Sequence, residues 1–173
     1  IANDDVFPSE MLTWGTNATG ALASPAVTSG WITAPRQLGT VATWKSVATS
    51  PVSLEPDFAA IRTDGTLWTW GDNSFGQLGD GTFTLRTRPV QVRGLTGVRQ
   101  IVAGLTTSLA LLSDGTVRAW GGNDGGQLGN GTLGDMPEAV TVSGLTGVTQ
   151  LGSDGDSTLA LLDMSDQILG VLT

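Results

Sequence analysis

Aspartate is the residue of this chain best suited to chemistry, at Asp72, Asp80, Asp114, Asp124, Asp135, Asp154 and Asp156. Paired carboxylates hydrolyse glycosides when one is held protonated and both face one cleft. Here nearly all of them stand in turn-forming sequence such as SDGT and GDGT, where aspartate accepts hydrogen bonds from the backbone. There is no histidine and no cysteine. That removes the commonest general acid/base, thiol nucleophiles, disulfides and thiolate metal sites together. The expectation is a protein that is not an enzyme and uses no cofactor. Asp154 and Asp156 lie in the run Ser153 to Ser157, two carboxylates two apart in a loop. A hard cation needs six to eight oxygens, and the calcium-loop spacing with its terminal glutamate is missing. A calcium contact and a plain solvated loop both stay open there.

The elements that would hold these side chains are written twice. DGTLWTWGDNSFGQLGDGT begins at Asp64 and DGTVRAWGGNDGGQLGNGT at Asp114, each followed by GLTGV. A repeat of roughly 50 residues fits a four-stranded propeller blade rather than a helical pair. The second copy reads as strands over 98–103, 108–113, 116–120 and 139–142. Asp64-Gly65 and Asp114-Gly115 predict two hairpins with type I′ turns. The fold expected is all-β, a β-propeller of four-stranded antiparallel blades with about three and a half blades present. An N-terminal extension covers 1–11, a partial blade 12–43, full blades 44–93 and 94–143, and a truncated blade 144–173. With Ile1 first and the repeat count incomplete, the chain reads as part of a larger chain or assembly.

At GDNSFGQLGDGT and GGNDGGQLGNGT, each preceded by Trp and followed by valine-rich and Leu-Ala-Leu strands, the chain resembles the regulator of chromosome condensation repeat family, in a bacterial or phage-like form. The resemblance spans most of 12–162 and implies a β-propeller, typically of seven blades. It also raises nucleotide exchange on a small GTPase, but no exchange motif is present.

The repeat signature reads as scaffold. Gly15, Gly65, Gly71, Gly79, Gly115, Gly121 and Gly129 are turn and close-packing glycines, and Asp64 and Asp114 are turn residues. Gln77 and Gln127 are expected to satisfy backbone groups, and Trp14, Trp70 and Trp120, at equivalent positions, to pack between blades.

Four side chains stand out as partner contacts. Trp31 lies in SGWITAP, without a counterpart in the other units, and Phe83 lies in a variable loop. Arg86 and Arg88 belong to a cluster with Arg93 and Arg99, half of the eight basic side chains. Arginine is favoured at interfaces, although such a cluster also blunts a strand edge. A net charge of −8 opposes nucleic acid and anionic lipid, and no apolar run is long enough for membrane insertion. The sequons at Asn17 and Asn130 carry no weight in so Gly- and Thr-rich a chain.

The function expected is a non-enzymatic protein-interaction or structural module, with a protein partner or neighbouring subunit. An extracellular, cell-surface or virion setting is favoured, such as a phage tail component. The alternative is a secreted propeller that binds a protein or carbohydrate, as an enzyme inhibitor would.

Overall fold

The computed structural model describes residues 10–17, 20–23, 30–38, 43–50, 56–153 and 157–163. Among them the protein is all-β, with twelve strands in four antiparallel sheets. The first sheet pairs β1 (Leu12–Thr16) with β2 (Trp31–Gln37). The second runs in chain order through β3 (Trp44–Thr49), β4 (Asp57–Arg62), β5 (Leu67–Gly71) and β6 (Arg86–Gln91). The third repeats this with β7 (Val98–Ala103), β8 (Thr107–Leu112), β9 (Val117–Gly121) and β10 (Met136–Thr141). The last pairs β11 (Val148–Ser153) with β12 (Thr158–Leu162). Among the described residues two blades are complete and two are halves, the partial propeller expected from the repeat. β1 and β2 are the outer half of the first blade, and β11 and β12 the inner half of the last.

The Asp-Gly hairpins form, but not through type I′ turns. Only the glycines take positive φ, 77° at both Gly65 and Gly115, while Asp64 and Asp114 do not. Gly65 N–H donates to Arg62 O, and Arg62 N–H donates to Thr66 O. That is a three-residue loop, a type I turn closed by a left-handed glycine. The Asp64 carboxylate selects it by accepting from Thr66 N (2.9 Å) and Thr66 Oγ1 (2.6 Å), and Asp114 does the same with Thr116. These hydrogen bonds hold both carboxyls below their usual range.

Apolar faces are buried between blades. Ala59 and Ile61 of β4 meet Ile101 of β7 and Leu112 of β8 in one core, and Leu109 and Leu111 of β8 meet Val148 and Leu151 of β11 in the next. Trp70 and Trp120 are 2% and 0% exposed. Trp14 departs from expectation, being 60% exposed. Its position in the repeat is theirs, but among the described residues β1 has no inner strands beside it, and burial in a blade is supplied by those neighbours.

Candidate functional site

Antiparallel alternation sends the chain from one end of each blade to the other, so loops sort by face. Turns after β4 and β8 share one face with the links leading into β7 and β11, as Val98 N–H donates to Gly65 O and Val148 N–H to Gly115 O. The opposite face carries the β3–β4 and β7–β8 connections together with the long β5–β6 and β9–β10 loops. Gly122 N–H donates to Thr106 O there, and Gly71 packs against Pro56 O.

The long loops are held by a buried asparagine. Asn73 and Asn123 are both 0% exposed. Asn73 Oδ1 accepts from Leu78 N–H (2.9 Å) and its Nδ2 donates to Thr82 O (2.8 Å). Asn123 repeats this with Leu128 N–H and Thr132 O, and Asn17 Oδ1 accepts from Leu22 N–H. Gln77 closes the loop tip, accepting from Phe75 N–H through Oε1 and donating to Asp72 through Nε2. Gln127 accepts from Gly125 N–H, and Asp135 from Asn123 N–H. With their backbone groups satisfied internally, the loops present fixed tips to solvent.

Those tips are apolar. Phe75 and Phe83 on the β5–β6 loop, Leu133 on the β9–β10 loop and Leu105 between β7 and β8 are all exposed. Trp31, 75% exposed, starts β2 at the same end. Phe83 and Trp31 are the two that the sequence singles out, and Phe75 joins them here. Leu105 and Leu133 were missed, as was the asparagine that sets the loops, although its recurrence at 17, 73 and 123 was a signal. Arg86 is engaged: its Nε donates to Asp80 Oδ2 at 2.6 Å and its Nη2 to Thr82 Oγ1 at 3.2 Å. Burial works against ionisation of Asp80, but the hydrogen bonds from Thr82 and Arg86 outweigh it and hold the carboxyl low. Arg88 is exposed on β6, the outer strand of its blade. Asp154 and Asp156 lie outside the described residues. The two long loops bring Asp72, Asp80, Asp124 and Asp135 to this face with Arg86 as the neighbouring cation, so its rim is acidic.

One buried carboxylate has another character. Asp57 is 3% exposed; burial pushes its carboxyl up to about 7, its backbone N–H opposes this, and the charge of Asp72 adds to it. Its counterpart in the next blade is Thr107, whose hydroxyl donates to Gly122 O at 3.0 Å. A cavity of about 710 Å³ opens between β1 and β3, and its walls carry Glu10 but not Asp57, so it brings no carboxylate pair together. Among the described residues no group of three or more Asp or Glu is placed to hold a metal ion.

A tandem array of four-stranded blades packed face to face is a β-propeller architecture. Within it, residues 64–111 match the repeat of the regulator of chromosome condensation (RCC1) family, and residues 98–127 match a second form of that repeat. Human WBSCR16 superposes with a TM-score of 0.74 at 19% identity, over 94% of this chain and 46% of that one. Yeast RCC1 (Prp20), in its structure bound to Kap60, gives 0.71 at 16% identity, over 95% and 41%. A further structure of Prp20p from Saccharomyces cerevisiae, described with its binding properties to Gsp1p and histones, gives 0.65 at 17%, over 78% and 34%. By sequence, the human E3 ubiquitin-protein ligase HERC2 is 38% identical over 78 residues, 44% of this chain and 2% of that protein. The human probable E3 ubiquitin-protein ligase HERC3 is 46% identical over 55 residues, 30% of this chain and 5% of that protein. The chain thus spans less than half of the solved chains and a small part of the ligases.

Proposed function

We propose that this chain is a non-catalytic β-propeller segment that binds another protein through the face built by its β5–β6 and β9–β10 loops. The observation that carries the reading is the set of exposed apolar tips, Phe75, Phe83, Leu105 and Leu133, on loops whose own polar groups are internally satisfied. Rigid loops present anchors at low entropic cost, and large apolar side chains inside a polar rim are the usual anatomy of an interface core. The acidic rim selects a partner surface with basic residues around an apolar centre. Binding to Gsp1p, histones or Kap60 by the structural relatives gives the reading precedent.

We extend the proposal to an extracellular, cell-surface or virion setting, including a tail component of a phage. Its support is an acidic, cysteine-free chain whose blade edges, among the described residues, carry no neighbouring strand, as edges covered by neighbours in a large assembly would. Recovery of the native polypeptide in a cytosolic fraction overturns the setting and leaves the binding reading intact.

The binding test is a photo-crosslinking amino acid placed at Phe83 and, as a control, at Arg99. The expected result is one discrete protein adduct from Phe83, lost on Leu133→Ser and weakened by added salt, and none from Arg99. Equal labelling at both sites, or enrichment of glycans instead of protein on an array, overturns it.

A further inference from the structure

The face opposite the loop tips carries an aromatic and cationic cluster at the turn end of the first complete blade. β3, β4 and β5 lie side by side there and bring together Trp44, Arg62 and Trp68. Trp44 is paired directly with Arg62, and Trp68 stands on the strand beyond, paired with Ala60. The Arg62 guanidinium carbon lies 3.9 Å from the centroid of the Trp68 ring and 4.9 Å from that of Trp44. A guanidinium over an indole is attracted by the negative face of the ring. Trp68 is itself fixed, since its Nε1 donates to Thr66 Oγ1 at 3.1 Å and Thr66 Oγ1 donates to Asp64 at 2.6 Å. In the following blade the equivalent positions hold Val98, Leu112 and Arg118, so a blade folds without this cluster.

Stacking uses the flat of a guanidinium and leaves its N–H donors, which lie in the plane, still to be bonded. Those of Arg62 are not matched within the fold. Among the described residues the ion pair is that of Arg86 with Asp80, and the buried Nε of Arg62 has no acceptor, while its Nη groups reach solvent. Asp64 is close enough for its carboxyl to feel the Arg62 charge, but Thr66 occupies its Oδ1 and it makes no ion pair. The wider surface has the same sign. Arg36, Lys45, Arg93, Arg99 and Arg118 stand with Arg62 at the turn ends of their strands, six of the eight basic side chains of the chain. The described acids of this face are Glu10, Asp64, Asp114 and Asp163, of which Asp64 and Asp114 are bonded to Thr66 and Thr116. A chain of net charge −8 thus gathers its cations on the face away from its acidic loops.

We propose that the turn end of the first complete blade binds an acidic peptide segment of a partner protein, with Arg62 receiving one of its carboxylates end-on through Nη1 and Nη2. The two indoles hold the planar fork in place before the ligand arrives, so little side-chain freedom is lost on binding. A fork presented in this way pairs bidentately with a carboxylate. Lys45, exposed on β3 beside Trp44, supplies a second cation for a neighbouring acidic side chain. The acids interspersed on this face and the negative charge of the whole chain oppose the long uniform charge of a nucleic-acid duplex, while a short acidic segment meets the cations locally. The site lies on the face opposite the apolar loop tips and stands independently of the binding function above.

The test is titration of the whole chain with a short all-glutamate peptide, read by calorimetry and by tryptophan emission. Saturable binding that weakens with added salt is expected. Arg62→Lys keeps the charge and loses the fork, and is expected to lower the affinity about tenfold, the worth of one charge-assisted pair. Lys45→Glu is expected to weaken binding as well, and Arg88→Gln to leave it unchanged. Where Arg62→Lys disturbs the blade, the unaltered chain still gives an answer: in nitrogen-resolved NMR of the arginine side chains, the Arg62 Nε signal is expected to move on addition of the peptide while that of Arg88 stays. Absence of saturable binding, an affinity untouched by Arg62→Lys, or equal binding of a DNA duplex overturns the proposal. Loss of peptide binding on Phe83→Ser places the peptide on the loop face and overturns it too. The expected result of that variant is intact peptide binding with the Phe83-dependent partner signal lost, so the two surfaces fail or stand separately.

Discussion

The junctions on either side of the first complete blade use the same repeat position and solve it differently. At the junction with the following blade, Trp120 lies in a socket where its Nε1 donates to Gln77 O at 2.8 Å, and Ser108 Oγ donates to the same carbonyl at 2.9 Å. Gly79, at φ 66°, forms the wall, and a Cβ on it would stand 2.7 Å from the Trp120 Nε1. At the junction with the preceding half-blade, the wall is Ala23, held at φ 52° with a real Cβ. Trp70 there has no hydrogen-bond partner for its Nε1 and stacks on Phe58 instead, with ring centroids 5.6 Å apart. Asp57 also replaces Thr107, and its Oδ1 is left without a partner. The same tryptophan is thus a hydrogen-bonded anchor in one junction and a stacked, unsatisfied indole in the other. The two junctions differ at Ala23 against Gly79 and at Phe58 against Ser108.

The largest expected effect comes from giving the good socket the defect of the poor one. Gly79→Ala adds a methyl group against the Trp120 indole at a positive φ, and a loss of about 3 kcal/mol is expected in urea unfolding. A loss below about 1 kcal/mol breaks the comparison.

Asp57→Thr works in the other direction. A carboxyl raised from 3.8 to about 7 binds more protons folded than unfolded between those values. The protein therefore loses stability as pH rises from about 4 to about 7 and levels off above. Substitution by the residue of the following blade is expected to flatten that slope, gaining about 2 kcal/mol at pH 8 and little at pH 4. An unchanged slope sinks the assignment to Asp57.

Ala23→Gly removes left-handed strain and frees space for the Trp70 indole, with about 1 kcal/mol gained after the extra chain entropy of glycine. Thermal unfolding and the emission of the tryptophans read this out, and a destabilised variant shows that the alanine packs better than the indole pairs.

Smallest in stability is Phe83→Ser. Its side chain is more than half exposed, so unfolding is expected to move by no more than about 0.5 kcal/mol. Its crosslinking or binding signal is expected to vanish, and retention of that signal removes Phe83 from the interface.

Much of the fold was legible in the chain. The 50-residue repeat announced blades, and Asp64-Gly65 and Asp114-Gly115 marked their central hairpins. The turn type was misread because the Asp64 and Asp114 carboxylates bind Thr66 and Thr116 and leave positive φ to the glycines. At the candidate site, Trp31 stands out in sequence as a residue without a counterpart and Phe83 as an aromatic in a variable loop, while nothing in the sequence distinguishes Leu105 and Leu133. Asp57, which follows Pro56 at the start of β4, carries no sequence sign of its burial, since burial of a carboxylate depends on strands remote in sequence.

By itself, then, the sequence determined the local units: strand pairs, turns closed by Asp and Thr, and long loops ordered by a recurring asparagine, all set by contacts within one repeat. The tertiary structure decided which copies of an equivalent residue are buried. Trp14, Trp70 and Trp120 share a position and differ in exposure and hydrogen bonding. A blade buries its faces only against its neighbours, and no single repeat encodes what stands beside it.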